Sequence, residues 1–204
     1  MSFVTYLVDD DGSVLKALGR LLRMAGYQTR AYSSPDQFLA EYDCNVPGCV
    51  ILDLAMPGLD GLSLQKKLAE KSFIPPVIFL TGTADVARSV TAMKAGAVDF
   101  LTKPVDRQKL LAAVERAHQN DEVARGAWQD REAFNRRIAR LTPRERQVLD
   151  HVVLGRLNKQ IAATLGTVEK TIKVHRGRVM AKLEVHSVAE LVRMTERAGM
   201  HPAG

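Results

Sequence analysis

Five side chains in the first half of the sequence could do phosphoryl chemistry together: Asp9, Asp10, Asp53, Thr81 and Lys103. Each ends or follows a short apolar run. Residues 4–8 lead into Asp9-Asp10-Asp11, residues 49–52 into Asp53, residues 77–80 into Thr81, and residues 98–102 into Lys103. Clustered carboxylates cannot all ionise without a counter-charge, because like charges raise one another's pKa. A hard divalent cation relieves that conflict, and Mg2+ favours carboxylate oxygens together with water and phosphate oxygens. Adding an amine and a hydroxyl gives a set suited to phosphoryl transfer, where catalysis is mainly positioning and charge neutralisation. Asp53 would then be the nucleophile, forming an aspartyl-phosphate. The dianionic product needs donors, and Thr81 and Lys103 are the available ones. Drawing Thr81 inward leaves space that Phe100 can fill, which reshapes the surface nearby.

These groups meet only if the runs that carry them lie side by side. Apolar runs of this length read as strands buried on both faces of a parallel sheet. Ligands of such sheets bind outside the carboxyl ends of the strands. Between the runs the apolar pattern turns helical over residues 13–25, 35–41, 62–70, 85–95 and 107–119. Ser34-Pro35-Asp36-Gln37 has a capping hydroxyl, Pro at the first helical position and Gln three residues after the Ser. Gly26 and Gly96 stand where helices should stop. With residues 27–32 as a weaker strand, the reading is an α/β unit, (βα)5, with a doubly wound parallel sheet. In the order 2-1-3-4-5 its Asp-bearing first and third strands flank the switch point.

Charge separates the chain into parts. Residues 1–120 hold 13 basic and 13 acidic residues, and residues 121–137 hold 4 of each. Residues 138–204 hold 12 basic and 6 acidic residues, so the net charge of +6 sits entirely in the last third. Such asymmetry points to a nucleic-acid-binding module joined to an electrically balanced one. No stretch approaches the roughly 18 uninterrupted apolar residues of a membrane span. Met1-Ser2-Phe3 enters a strand directly, without the basic start and apolar stretch of a signal peptide, which reads as cytoplasmic. Cys44 and Cys49, with no CxxC spacing and no His cluster nearby, read as inert packing residues.

The remaining segments read as helical. Residues 121–137, with Val123, Ala127 and Phe134 at roughly helical spacing, read as a continuation of the fifth helix into a helical linker. Trp128 reads as a packing residue there. Thr142-Pro143-Arg144-Glu145 and Ser187-Val188-Ala189-Glu190 are capping boxes that open two helices. Between them lie a short helix over 158–165, a turn at Gly166-Thr167, and a helix over 169–183 carrying Lys170, Lys173, His175, Arg176 and Arg178. Two helices joined by a tight Gly-containing turn have the outline of a helix-turn-helix. The all-α part, residues 138–204, therefore reads as a four-helix DNA-binding domain after the α/β domain over residues 1–120.

At this point the residues resemble a family. Residues 4–120 resemble the receiver domain of bacterial two-component response regulators, through the Asp pair after the first strand, residues 53–61 (DLAMPGLDG), Thr81-Gly82 and Lys103-Pro104. The resemblance implies that Asp53 accepts the phosphoryl group and that Asp10 and Asp53 ligate Mg2+. It further implies that the Ala55 backbone carbonyl is the third protein ligand and that Asp9 assists through water. Lys103 would pair with the acyl phosphate, Thr81 would hydrogen-bond it, Phe100 would be the aromatic switch residue, and Lys103-Pro104 would be cis. Residues 141–199 resemble the LuxR/FixJ-type helix-turn-helix domain, through residues 141–149 (LTPRERQVL), 158–162 (NKQIA) and 171–176 (TIKVHR). By position Lys173, Val174 and Gly177 face base edges, while Lys159, Thr171, His175, Arg176 and Arg178 touch phosphates, with Lys170 beside them.

Together the two resemblances place the chain with FixJ/NarL-type regulators. The function implied is a phosphorylation-activated transcriptional regulator, not an enzyme. Its implied partners are a sensor histidine kinase, promoter double-stranded DNA, RNA polymerase and, when phosphorylated, a second copy of itself. An enzymatic alternative is a Mg2+-dependent aspartyl-phosphate phosphatase, which would need a DxD nucleophile loop and a substrate cap, whereas here the nucleophile candidate follows the third strand and no cap insertion is present. Two departures from the family pattern stand out. Thr167-Val168 replaces the usual cap before the reading helix, and Gly177 leaves a base-facing position without a side chain.

Overall fold

The computed structural model describes residues 3–82 and 86–200, which form two compact units, residues 1–126 and 127–204. In chain order the first unit contains β1 (Val4–Val8), α1 (Gly12–Met24), β2 (Gln28–Tyr32), α2 (Pro35–Glu41), β3 (Gly48–Asp53), α3 (Gly61–Ala69), β4 (Val77–Thr81), α4 (Val86–Lys94) and β5 (Asp99–Thr102). The expected start of the fourth helix at Asp85 lies outside the described residues. The five strands form one parallel sheet in the order β2-β1-β3-β4-β5.

Every residue of β1, β3 and β4 is buried, as the continuous apolar runs require. Alternate side chains serve opposite faces. Tyr6, Val50, Leu52 and Phe79 pack with Phe38 of α2, Leu64 and Leu68 of α3 and Ala92 of α4. Leu7, Ile51, Ile78 and Leu80 pack with Leu18 and Leu22 of α1 and with Leu110, Val114 and Ala117 further along the chain. β2 is an edge strand and mostly solvent-facing, which is why its apolar signal is faint. Cys49 is fully buried, and burial pushes its thiol up to about 12, so it behaves as an inert packing residue.

Helix α5 runs without a break from Arg107 to Ile138. Its earlier residues complete the first unit, and Phe134 and Ile138 enter the core of the second. The stretch expected as a connector thus continues α5 as a helix and gives Phe134 to the second core. Near Gly126 it carries a buried ion pair, Asp121 (1% exposed) with Arg125 (5%). Arg125 Nε and Nη2 donate to the two Asp121 oxygens at 3.0 and 2.9 Å. Nη1 donates to the Cys44 carbonyl at 2.8 Å and Nη2 to the Val46 carbonyl at 3.2 Å. The guanidinium also lies 4.2 Å from the centre of the Phe73 ring. A planar fork with five donors suits this bidentate and stacked role, which lysine could not fill.

The second unit adds α6 (Pro143–Val153), α7 (Asn158–Thr164), α8 (Glu169–Leu183) and α9 (Val188–Arg197). Thr142 and Glu145 form the expected capping box at the start of α6, and Ser187 caps α9. Val148, Leu149, Ile161, Ile172, Val179, Leu183 and Leu191 fill the core between them. Gly166 adopts a positive φ of 61° in the turn between α7 and α8. The expected weakness before α8 is present, because Val168 stands at the N-cap and makes no side-chain cap hydrogen bond.

Candidate functional site

The carboxyl ends of β1, β3, β4 and β5 place Asp9, Asp53, Thr81 and Lys103 on one rim. Thr81 ends β4, and the Lys103 backbone N–H donates to its carbonyl at 2.7 Å. The Lys103-Pro104 bond is cis. Lys103 Nζ reaches Asp9 Oδ2 at 2.6 Å and Asp53 Oδ1 at 2.9 Å, so one ammonium bridges acids from two strands. The other oxygens are held by backbone. Asp53 Oδ2 accepts from the Ala55 N–H at 3.1 Å, and Asp9 Oδ1 from the Asp11 N–H at 2.9 Å. Carboxylate oxygens of Asp9, Asp10 and Asp53 all lie within 4.8 Å of one another.

Burial separates the roles of these acids. Asp9 (2% exposed), Asp53 (4%) and Thr81 (3%) are sunk in the rim, while Asp10 faces solvent. Burial raises the Asp9 carboxyl above its ordinary range, against the pull of the Lys103 hydrogen bond. Burial alone would push the Lys103 ammonium down, but its bonds to Asp9 and Asp53 outweigh that and raise it. Asp11, left outside the ligand set, caps α1 by accepting from the Ser13 N–H at 2.7 Å. Gly61 opens α3 directly against the acceptor strand. A Cβ there would lie 2.5 Å from the Asp53 carbonyl oxygen, so only glycine allows this approach. Phe100 on β5 is half-buried, with its ring centre 6.4 Å from that of Phe79.

A second site lies on α7 and α8. Ile172, Val179 and Leu183 turn α8 inward, and Lys170, Lys173, Val174, Gly177 and Arg178 are exposed, as is Lys159 on α7. Thr171, His175 and Arg176 flank this face and are half-buried. Arg137 pairs with Glu184, Arg146 with Asp150 and Lys182 with Glu145. Among the described residues, Lys159, Lys170, Lys173, Arg176 and Arg178 pair with no carboxylate. A helix surface with uncompensated positive charge and an exposed Val is suited to a polyanion with apolar features, such as duplex DNA.

Comparison with known proteins decides between the readings. Residues 5–115 match the family model for the response regulator receiver domain, and residues 139–195 match that for bacterial regulatory proteins of the luxR family. Nodulation protein W of Bradyrhizobium diazoefficiens is 40% identical over 197 residues, covering 97% of this chain and 87% of that protein. FixJ of Rhizobium meliloti is 38% identical and covers 98% of both chains. Among solved structures, the response regulator StyR is 40% identical with a TM-score of 0.75, covering 97% of this chain and 100% of that one. The chain is a two-component response regulator of the FixJ family. It is a transcriptional regulator and not an enzyme, and the phosphatase alternative finds no support among its relatives.

The regulator's receiver rim brings together all five residues singled out from their types alone. His175 is half-buried, and its Nδ1 is buried with no hydrogen-bond partner among the described residues. Two polar residues within the quoted helix-turn-helix motifs were given no role of their own from the sequence. Arg144 Nη2 donates to the Leu165 carbonyl at 2.6 Å and thereby caps the end of α7. Asn158 Oδ1 accepts from Arg176 Nη1 at 3.1 Å. Both pairs join helices that only the folded unit brings together, although the start of α7 placed Asn158 where side chains commonly hydrogen-bond.

Proposed function

We propose that the regulator takes a phosphoryl group from a sensor histidine kinase onto Asp53 and then binds promoter DNA through α7 and α8. The observation that carries this is the single Lys103 ammonium shared by Asp9 and Asp53 beside a third carboxylate. Three acids against one cation leave an all-oxygen, negatively charged set that fits Mg2+. Asp10, Asp53 and the Ala55 carbonyl would hold the ion directly, and Asp9 through water. Bound there, it supplies neutralisation of the phosphoryl oxygens. An Asp53 oxygen attacks phosphorus, the new P–O bond forms as the kinase's P–N bond breaks, and the imidazole nitrogen leaves with the electron pair. Lys103 then pairs with the phosphoryl group, Thr81 donates to it, and Phe100 turns further inward to fill the space left by Thr81.

On the DNA side, Lys173, Val174 and Gly177 face base edges. Lys159, Lys170, Thr171, Arg176 and Arg178 contact phosphates, with His175 in a packing role. The phosphorylated form dimerises, because one short reading helix rarely supplies enough affinity alone. RNA polymerase is the further partner, and the cytoplasm is the site of action. No described helix is long and apolar enough to cross a membrane. Labelling with radioactive acetyl phosphate tests the core of this reading. Asp53→Ala should fold and take up no label, while the parent chain is labelled only in the presence of Mg2+. Label on the variant would move the acceptor elsewhere.

A further inference from the structure

We infer that Asn158 is a positioning residue for DNA binding, holding Arg176 so that its guanidinium meets a phosphate of the duplex. The inference rests on the reading of Arg176 as a phosphate contact given above. Arg176 lies on the flank of α8, and Asn158 is the first residue of α7; both are half-buried. The 3.1 Å bond from Arg176 Nη1 to Asn158 Oδ1 joins the start of α7 to α8. It uses one of five guanidinium donors and leaves the others for a ligand. A side chain held in advance loses less rotamer freedom when it binds.

The chemistry of the acceptor matters as much as its place. An amide oxygen fixes the direction of the guanidinium without cancelling its charge. A carboxylate at the same position would make an ion pair that competes with phosphate. The unit uses carboxylates for Arg137, Arg146 and Lys182, whereas Arg144 donates to Gln147 Oε1 and to the Leu165 carbonyl. Arg176 on the reading helix is likewise held by a neutral partner, and among the described residues it pairs with no acid. A bond that served only to tie two helices would gain from a charged acceptor. A bond that prepares a cation for a polyanion would lose by it.

The test is fluorescence anisotropy of the full chain with a labelled random-sequence duplex, titrated with salt. Arg176→Ala should make the log–log salt slope shallower by about 0.9, the value for one phosphate contact. An unchanged slope sinks the reading of Arg176 and this inference with it. Asn158→Ala should weaken binding roughly three- to tenfold in the parent chain. In the Arg176→Ala background it should do nothing further. Asn158→Asp should keep the thermal midpoint, since an acid suits the first turn of a helix, yet make the slope shallower only when Arg176 is present. If Arg176→Ala acts as stated while the Asn158 substitutions are silent, or cost the same with and without Arg176, Asn158 does not position it. The reading of Arg176 then stands and the inference falls.

Discussion

Lys103 sits between two buried acids, and the exposed Asp10 completes the cluster from the solvent side. The arrangement divides labour: Asp9 and Asp53 are fixed by backbone donors, whereas Asp10 is free to follow a cation. Asp10→Asn should therefore leave the fold intact and abolish the rise in thermal midpoint that Mg2+ gives the parent chain, which reflects a stabilisation of about 2.7 kcal/mol at a hundredfold excess over Kd. Differential scanning fluorimetry with and without Mg2+ reads this directly. In the second unit, the hydrogen bond from Lys182 and the Thr142 backbone N–H hold the Glu145 carboxyl down at about 2. Its folded value lies below the unfolded value of about 4.3, so the ionised form stabilises the fold above that pH. That contribution fades as the pH falls towards about 2. Glu145→Gln should lower the unfolding midpoint at neutral pH and flatten its fall between these values, as followed by circular dichroism. The rim residues were legible because a strand end fixes position without help from distant contacts. Asn158 was not, because a polar residue at a helix start reads first as a local cap.

Among the elements, α5 carries the least expected feature. Asp121 and Arg125 lie four residues apart, and Val114, Ala117, Asp121 and Arg125 form one inward stripe. That spacing was visible, but charged residues on a helix are usually read as a solvated face. Only the folded chain brings the Cys44 and Val46 carbonyls and the Phe73 ring around the guanidinium. Breaking a buried pair by removing one partner costs about 3–5 kcal/mol, because a charge is left uncompensated. Arg125→Met should destabilise the chain by about that much in urea, and Asp121→Leu added to it should recover a large part. Strands β1, β3 and β4 were plain from sequence because both of their faces are buried. The edge strand β2 was faint because most of its side chains meet water.

At the scale of the whole molecule, the excess positive charge of residues 138–204 coincides with the helices that carry unpaired cations. DNA affinity should fall steeply with salt, by several orders of magnitude between 50 and 200 mM if six or more phosphates are engaged. Anisotropy at graded salt measures it, and a flat response would remove DNA as the ligand. The order of the strands has a consequence for how the chain is made. β1 lies between β2 and β3 and is the first strand to leave the ribosome, so one of its edges stays bare until Asp53 has emerged. An unpaired apolar edge is a template for pairing with other chains. Crowded synthesis therefore endangers the amino-terminal half, whose sheet needs distant partners, more than the helical half, whose contacts are nearer in sequence and close faster.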